Sequence, residues 1–191
     1  QRALAIGDVS GHGIGPAMLM AETRAYLRIL TRNRNDLSLI LTRANTMVGE
    51  DVGEERFVTM LLAKLDPEKR TLVYASAGHS PAFILGSDGA VKSELRRTGM
   101  PLGVMQDAEY TVSKPLRLAK GDVLVLLTDG LEETTNPEGE LFGVDRILQA
   151  VHQNRQSKAA KIVESVFETL KDFSGNAEQV DDLTMIVAKA E

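Results

Sequence analysis

Phe57-Val58-Thr59-Met60-Leu61-Leu62-Ala63-Lys64-Leu65 and Thr71-Leu72-Val73-Tyr74-Ala75-Ser76 stand on either side of Asp66-Pro67-Glu68-Lys69. Two apolar runs of strand length, joined by a short turn that carries Asp and Pro, predict an antiparallel hairpin. The arrangement repeats at once: residues 83–85 and the neighbourhood of Val91 flank Gly86-Ser87-Asp88-Gly89, a second turn sequence. Further strands are predicted over 110–116, 123–127 and 183–188. Strands that succeed one another without regular intervening helices argue against a doubly wound parallel sheet. The expected class is α+β.

Upstream of the hairpins, Ala3-Leu4-Ala5-Ile6 reads as a buried strand, and residues 7–15 as a loop too rich in glycine to continue it. Pro16 suits the first position of a helix over 17–32. Asp36 can cap a second helix over 37–48, in which Leu37, Ile40, Leu41, Ala44 and Val48 recur on one face. Downstream, 144–152 and 159–173 are helical in pattern. With no repeat, low-complexity tract or linker, residues 1–191 are expected to form a single domain. The chain opens on Gln1 and runs almost directly into an apolar strand, so it is expected to be an N-terminally truncated piece of a larger protein.

Composition removes several functional classes. Hydrophobic residues make up 43% and charged residues 26%, as in ordinary globular domains, and the net charge of -5 does not suit a general nucleic-acid binder. Arg24, Arg28, Arg32 and Arg34 form a short basic stretch that reads as a solvated helix face. There is no cysteine, which excludes disulfide scaffolds, thiolate metal sites and cysteine nucleophiles. No run approaches the ~20 apolar residues a membrane helix needs, and no signal pattern opens the chain, so a cytoplasmic domain that does not itself enter a membrane is expected.

Three acidic positions share one local design. A strand leads to Asp8, the run Val123-Leu124-Val125-Leu126-Leu127-Thr128 leads to Asp129, and Asp181-Asp182 precede Leu183-Thr184-Met185-Ile186-Val187. The ordinary role of such an Asp is to cap a turn. Three of them beside glycines can instead converge at one sheet edge, where like charges call for a bound cation or a raised pKa. Oxygen ligands with no Cys and only three His favour magnesium or manganese over zinc.

Gly7-Asp8-Val9-Ser10-Gly11-His12-Gly13, Ser76-Ala77-Gly78-His79-Ser80-Pro81, Gly99-Met100-Pro101-Leu102-Gly103, Leu127-Thr128-Asp129-Gly130-Leu131-Glu132-Glu133 and Asp181-Asp182-Leu183-Thr184 resemble the successive motifs of the sporulation stage II E branch of the metal-dependent protein phosphatases. The resemblance runs in order across nearly the whole chain. It implies a four-layer αββα sandwich of two antiparallel sheets flanked by helices, with two divalent cations, manganese or magnesium, at one edge. By position, Asp8 would bridge both metals, the Val9 carbonyl would support one, and Asp129 and Asp181 would complete the inner ligands, with Asp182 beside them where many relatives carry Asn. The implied activity is hydrolysis of phosphoserine or phosphothreonine by a metal-bridging water or hydroxide. The implied substrate is a phosphorylated protein of the anti-sigma-factor antagonist type. The oligomeric state stays open, a homodimer included. Relatives carry an upstream Gly-Gly-Asp motif that this sequence does not contain.

His12, in the loop after Asp8, either protonates the leaving oxygen or only hydrogen-bonds the glycines around it. His79 is expected to shape its turn, His152 to be structural or exposed, and Glu132 and Glu133 to open a loop. Gly11-His12-Gly13-Ile14-Gly15-Pro16 lacks the Lys and hydroxyl of a phosphate-binding P-loop, and Pro16 spoils a dinucleotide fingerprint. Ser10 stands where an aspartyl-phosphate phosphatase would place a second Asp. Two alternatives to a phosphatase are a catalytically inactive adaptor of the same fold that binds a partner protein, and a calcium-stabilised structural domain.

Overall fold

The computed structural model describes residues 2–33, 36–52 and 56–191; Gln1 and Arg34 lie outside them. In chain order the elements are β1 (Arg2–Val9), α1 (Ile14–Asn33), α2 (Leu37–Asp51), β2 (Val58–Asp66), β3 (Thr71–Ala77), β4 (Ala82–Leu85), β5 (Val91–Leu95), β6 (Leu116–Arg117), β7 (Val123–Leu127), α3 (Asp129–Glu133), α4 (Gly143–Asn154), α5 (Ala159–Ser174) and β8 (Met185–Lys189). They divide into two compact units, each with its own sheet.

The first unit comprises the chain up to Ser80 together with Arg96–Arg117. Its sheet has the order β1-β2-β3-β6, every pair antiparallel. α2 begins where expected: the Asp36 carboxylate accepts from the backbone N–H groups of Ser38 and Leu39 at 2.9 and 3.3 Å. It buries Leu37, Ile40, Leu41, Ala44, Asn45 and Val48, the predicted face with one polar addition. Asn45 is tolerated there because its amide donates to the carbonyls of Met105 and Gln106 and accepts from Gly103 N–H, tying down the loop after Gly99-Met100-Pro101. α1 adds Leu19, with Tyr26, Leu27 and Leu30 packed alongside.

The second unit comprises Pro81–Leu95 and Leu118–Glu191, with a sheet ordered β5-β4-β7-β8, again wholly antiparallel. The run Val123 to Leu127 is buried throughout, which is why it reads as continuously apolar rather than alternating. Val123, Val125 and Leu127 share a core with Phe83, Leu85 and the helix residues Ile147, Val151, Ile162, Val166 and Leu170. Phe142 and Phe173 meet with ring centroids 5.2 Å apart, and the Arg146 guanidinium lies 4.7 Å over Phe173.

The α+β class with two antiparallel sheets and flanking helices is therefore observed, and both predicted hairpins form. Three local expectations are corrected. Gly7, Asp8 and Val9 are not loop but continue β1, because Met60, Thr59 and Val58 pair with them across the ladder. Residues 110–115 are not a strand; Ser113 bonds Tyr74 of β3, but Pro115 has no N–H to give a ladder, and only Leu116 and Arg117 pair. Glu132 and Glu133 lie in α3 rather than in a loop.

Candidate active site

In the first unit, Asp8 and Val9 form the last pairs of β1, opposite Thr59 and Val58. Gly7 is required beside them: a Cβ there would lie 2.7 Å from the Thr59 carbonyl oxygen and 2.8 Å from the Met60 side chain. The Thr59 hydroxyl sits 2.8 Å from Nδ1 of His79, a side chain only 2% exposed, and makes a long 3.4 Å contact with the Asp8 carbonyl oxygen. His79 is carried by Gly78, whose φ of +68° and contact with Pro101 leave no room for a side chain. The Gly78 N–H donates to the Gly99 carbonyl, and Val58 and Leu102 exchange backbone bonds of 3.0 and 2.8 Å. The Gly-His-Ser-Pro and Gly-Met-Pro-Leu-Gly motifs thus act as a brace under the end of the sheet that bears Asp8. Ser10 extends this end, accepting from Phe57 N–H at 3.0 Å. His12 is exposed in the connection to α1.

In the second unit, the end of β7 and the approach to β8 run side by side. Asp129 opens α3, half-buried, and Asp181 and Asp182 are exposed just before β8. Gly130 draws the two segments together, for a Cβ on it would lie 2.5 Å from the Asp182 carbonyl oxygen and 3.4 Å from the Asp181 Cβ. One Asp181 oxygen accepts from Asp182 N–H at 2.7 Å, which orients the carboxylate, and the Gln179 amide donates to the Asp181 carbonyl at 2.9 Å.

The structure therefore groups Asp129, Asp181 and Asp182 around Gly130, and Asp8, Val9 and His12 at the end of β1. Asp8 belongs to the first sheet, whereas Asp129 and Asp181 flank neighbouring strands of the second. Among the described residues, no group of three or more His, Asp or Glu side chains is placed to hold a metal ion. The pair in the second unit nonetheless has the right chemistry for a hard divalent cation. It offers carboxylate oxygens only, on segments that a single missing Cβ allows to meet. His152 is exposed on α4 and packs against the turn at Gly89. Sequence reading passed over Thr128, whose hydroxyl bonds Asp182 and Thr184; the only signal was a hydroxyl residue between a buried strand and an acid.

Comparisons with known proteins identify the family and the fold. Phosphoserine phosphatase RsbU of Bacillus subtilis is 31% identical over 189 residues, covering 97% of this chain and 55% of RsbU, so the chain spans little more than half of that relative. The SiaA-PP2C domain of Pseudomonas aeruginosa superposes with a TM-score of 0.84 at 22% identity, over 99% of this chain and 75% of that one. The catalytic domain of serine threonine protein phosphatase PstP, in complex with 2 manganese ions, does so with a TM-score of 0.70 at 19% identity, over 98% of this chain and 87% of that one. These structures show that the chain has the PP2C fold. The family description "Stage II sporulation protein E (SpoIIE)" matches residues 1–191 from end to end, and the chain belongs to that family.

Proposed function

We propose that the chain is a metal-dependent protein phosphatase that hydrolyses phosphoserine and phosphothreonine, working as the catalytic portion of a longer cytoplasmic signalling protein. The observation that carries the reading is the acidic pair built around Gly130, in a chain similar to a phosphoserine phosphatase. Asp8, the Val9 carbonyl, Asp129 and Asp181 are the residues that would hold two divalent cations, manganese or magnesium, with Asp182 alongside. When bound, the cations supply the positive charge that polarises a phosphoryl group and activates the attacking water. The chain needs no side-chain nucleophile of its own, and with no Cys it offers no thiolate.

Asp8 holds its place through the ladder to Thr59, and the brace from His79 fixes Thr59 in turn. Asp181 is oriented by the N–H of Asp182, which leaves its other oxygen to a cation. His12, exposed on the loop after Asp8, donates a proton to the departing serine or threonine oxygen. The resemblance favours a phosphorylated anti-sigma-factor antagonist as substrate, and the similarity to a phosphoserine phosphatase supports phosphoserine as the group removed. The test is release of phosphate from a phosphoserine peptide by the purified chain. Hydrolysis that depends on manganese, stops with chelator and is lost in Asp8→Asn is expected. Hydrolysis that continues in chelator, or none at saturating manganese, would overturn the reading.

A further inference from the structure

We infer that Thr128 is the positioning residue of the acidic pair: its hydroxyl, acting with the bare face of Gly130, fixes the separation of Asp129 from Asp181 and so sets the affinity for a divalent cation. The inference rests on the metal-binding reading above. Thr128 is 2% exposed and stands at the N-cap of α3, where a threonine hydroxyl ordinarily turns onto the first N–H groups of its own helix. Here it makes no such bond.

The hydroxyl turns instead to the neighbouring segment. It accepts from Thr184 N–H at 3.1 Å and donates to the Asp182 carbonyl at 3.1 Å, while the Thr128 N–H donates to the Thr184 carbonyl at 3.0 Å. A hydroxyl has a single proton; the Asp182 carbonyl is its nearer acceptor, with the Thr184 carbonyl at 3.5 Å, and a lone pair receives the Thr184 N–H. Three bonds from one residue therefore join the main chain that carries Asp129 to the main chain that carries Asp181 and Asp182. Gly130 sets how closely the two segments approach, and Thr128 keeps them from parting. Two carboxylates brought together repel unless a cation lies between them. A buried neutral hydroxyl bridging main-chain groups resists that repulsion without adding charge to the site. Such supporting contacts orient metal ligands, and their loss typically weakens metal binding by about 10- to 100-fold.

Manganese binding is measured by titration calorimetry on the wild-type chain, Thr128→Val and Thr128→Ser, and each protein is melted in chelator. Thr128→Val has nearly the same shape but neither hydroxyl bond, and should bind manganese about 10- to 100-fold more weakly. Thr128→Ser keeps the hydroxyl and should bind close to wild type even where its melting point falls. If Thr128→Val does not fold, Thr128→Ala repeats the test with a smaller side chain. Unchanged manganese affinity, with only the melting point lowered, makes Thr128 a merely structural residue and overturns the proposal. Equal weakening in Thr128→Ser overturns it as well. Asp129→Asn separates the two possible failures: if the wild type takes up no manganese, or this control binds like wild type, the metal-binding reading falls and the inference with it.

Discussion

Gly130→Ala asks whether the acidic segments are held at a set distance by main-chain contact. The new methyl would lie 2.5 Å from the Asp182 carbonyl oxygen and 3.3 Å from the Asp182 carbonyl carbon. A comfortable carbon–oxygen contact is about 3.3 Å, so one segment must retreat by roughly 0.8 Å. Both obstructing atoms are main chain, and Thr128 ties that main chain by three hydrogen bonds, so no side-chain rotation relieves the clash. Gly130 is helical, so the requirement is space and not dihedral freedom. Overpacking costs about 1–3 kcal/mol, and the better helix propensity of Ala returns about 1 kcal/mol. The net loss of up to about 2 kcal/mol corresponds to a melting point lowered by no more than about 8 °C. A misplacement near 1 Å, by contrast, can cost about 100-fold in rate. The expected result is therefore a protein that folds and melts cooperatively in chelator but hydrolyses an aryl phosphate about 100-fold more slowly with manganese. Full activity in Gly130→Ala would refute the reasoning, because it would show that the spacing around Gly130 does not matter to the site.

Asp181→Ala should reduce turnover more than Asp182→Ala, since the Asp181 carboxylate is oriented by a neighbouring N–H; equal losses or the reverse order in steady-state assays would contradict this. Tyr110 is buried with no hydrogen-bond partner for its hydroxyl among the described residues, and burial raises its pKa from 10.0 to about 12. The unfolded tyrosine ionises first, so this contribution to stability is intact below pH ~10 and is lost as pH rises towards ~12. Tyr110→Phe should flatten the decline of stability across that window in denaturant melts, and an unchanged slope would count against it. Tyr26, raised to about 12 by its hydrogen bond to Asp51, should leave a residual decline.

Sequence alone revealed those parts of the fold whose causes are local. The buried run 123–127, the Asp36 cap with its apolar face, and the turns at Asp66-Pro67 and Gly86-Ser87-Asp88-Gly89 each carry their reason within a few residues. What escaped notice depends on partners far along the chain. Gly7 to Val9 look like loop until Val58 to Met60 are brought beside them. The Thr128 hydroxyl finds its partners 54 and 56 residues away, so nothing adjacent marks it. Asp8, Asp129 and Asp181 were legible as candidates because acids next to apolar strands and glycines are unusual in combination. Their distribution over two sheets was not, because strand order is a tertiary property. The brace of His79 on Thr59 was half visible: the glycine-rich turn could be read, but its hydrogen bond could not.

The measurement that bears most directly on the central claim is the manganese-induced shift in melting point of wild type and Asp129→Asn. Asn keeps the shape of Asp129 and removes its charge. In chelator the variant should melt at or slightly above wild type, because one of the repelling carboxylates is gone. At about a hundredfold excess of manganese over Kd the wild type should gain about 2.7 kcal/mol, a rise of roughly 5–10 °C for a domain of this size. Asp129→Asn should gain little and lose hydrolysis. If it keeps the full shift and full activity, Asp129 is not a metal ligand and the proposed mechanism fails.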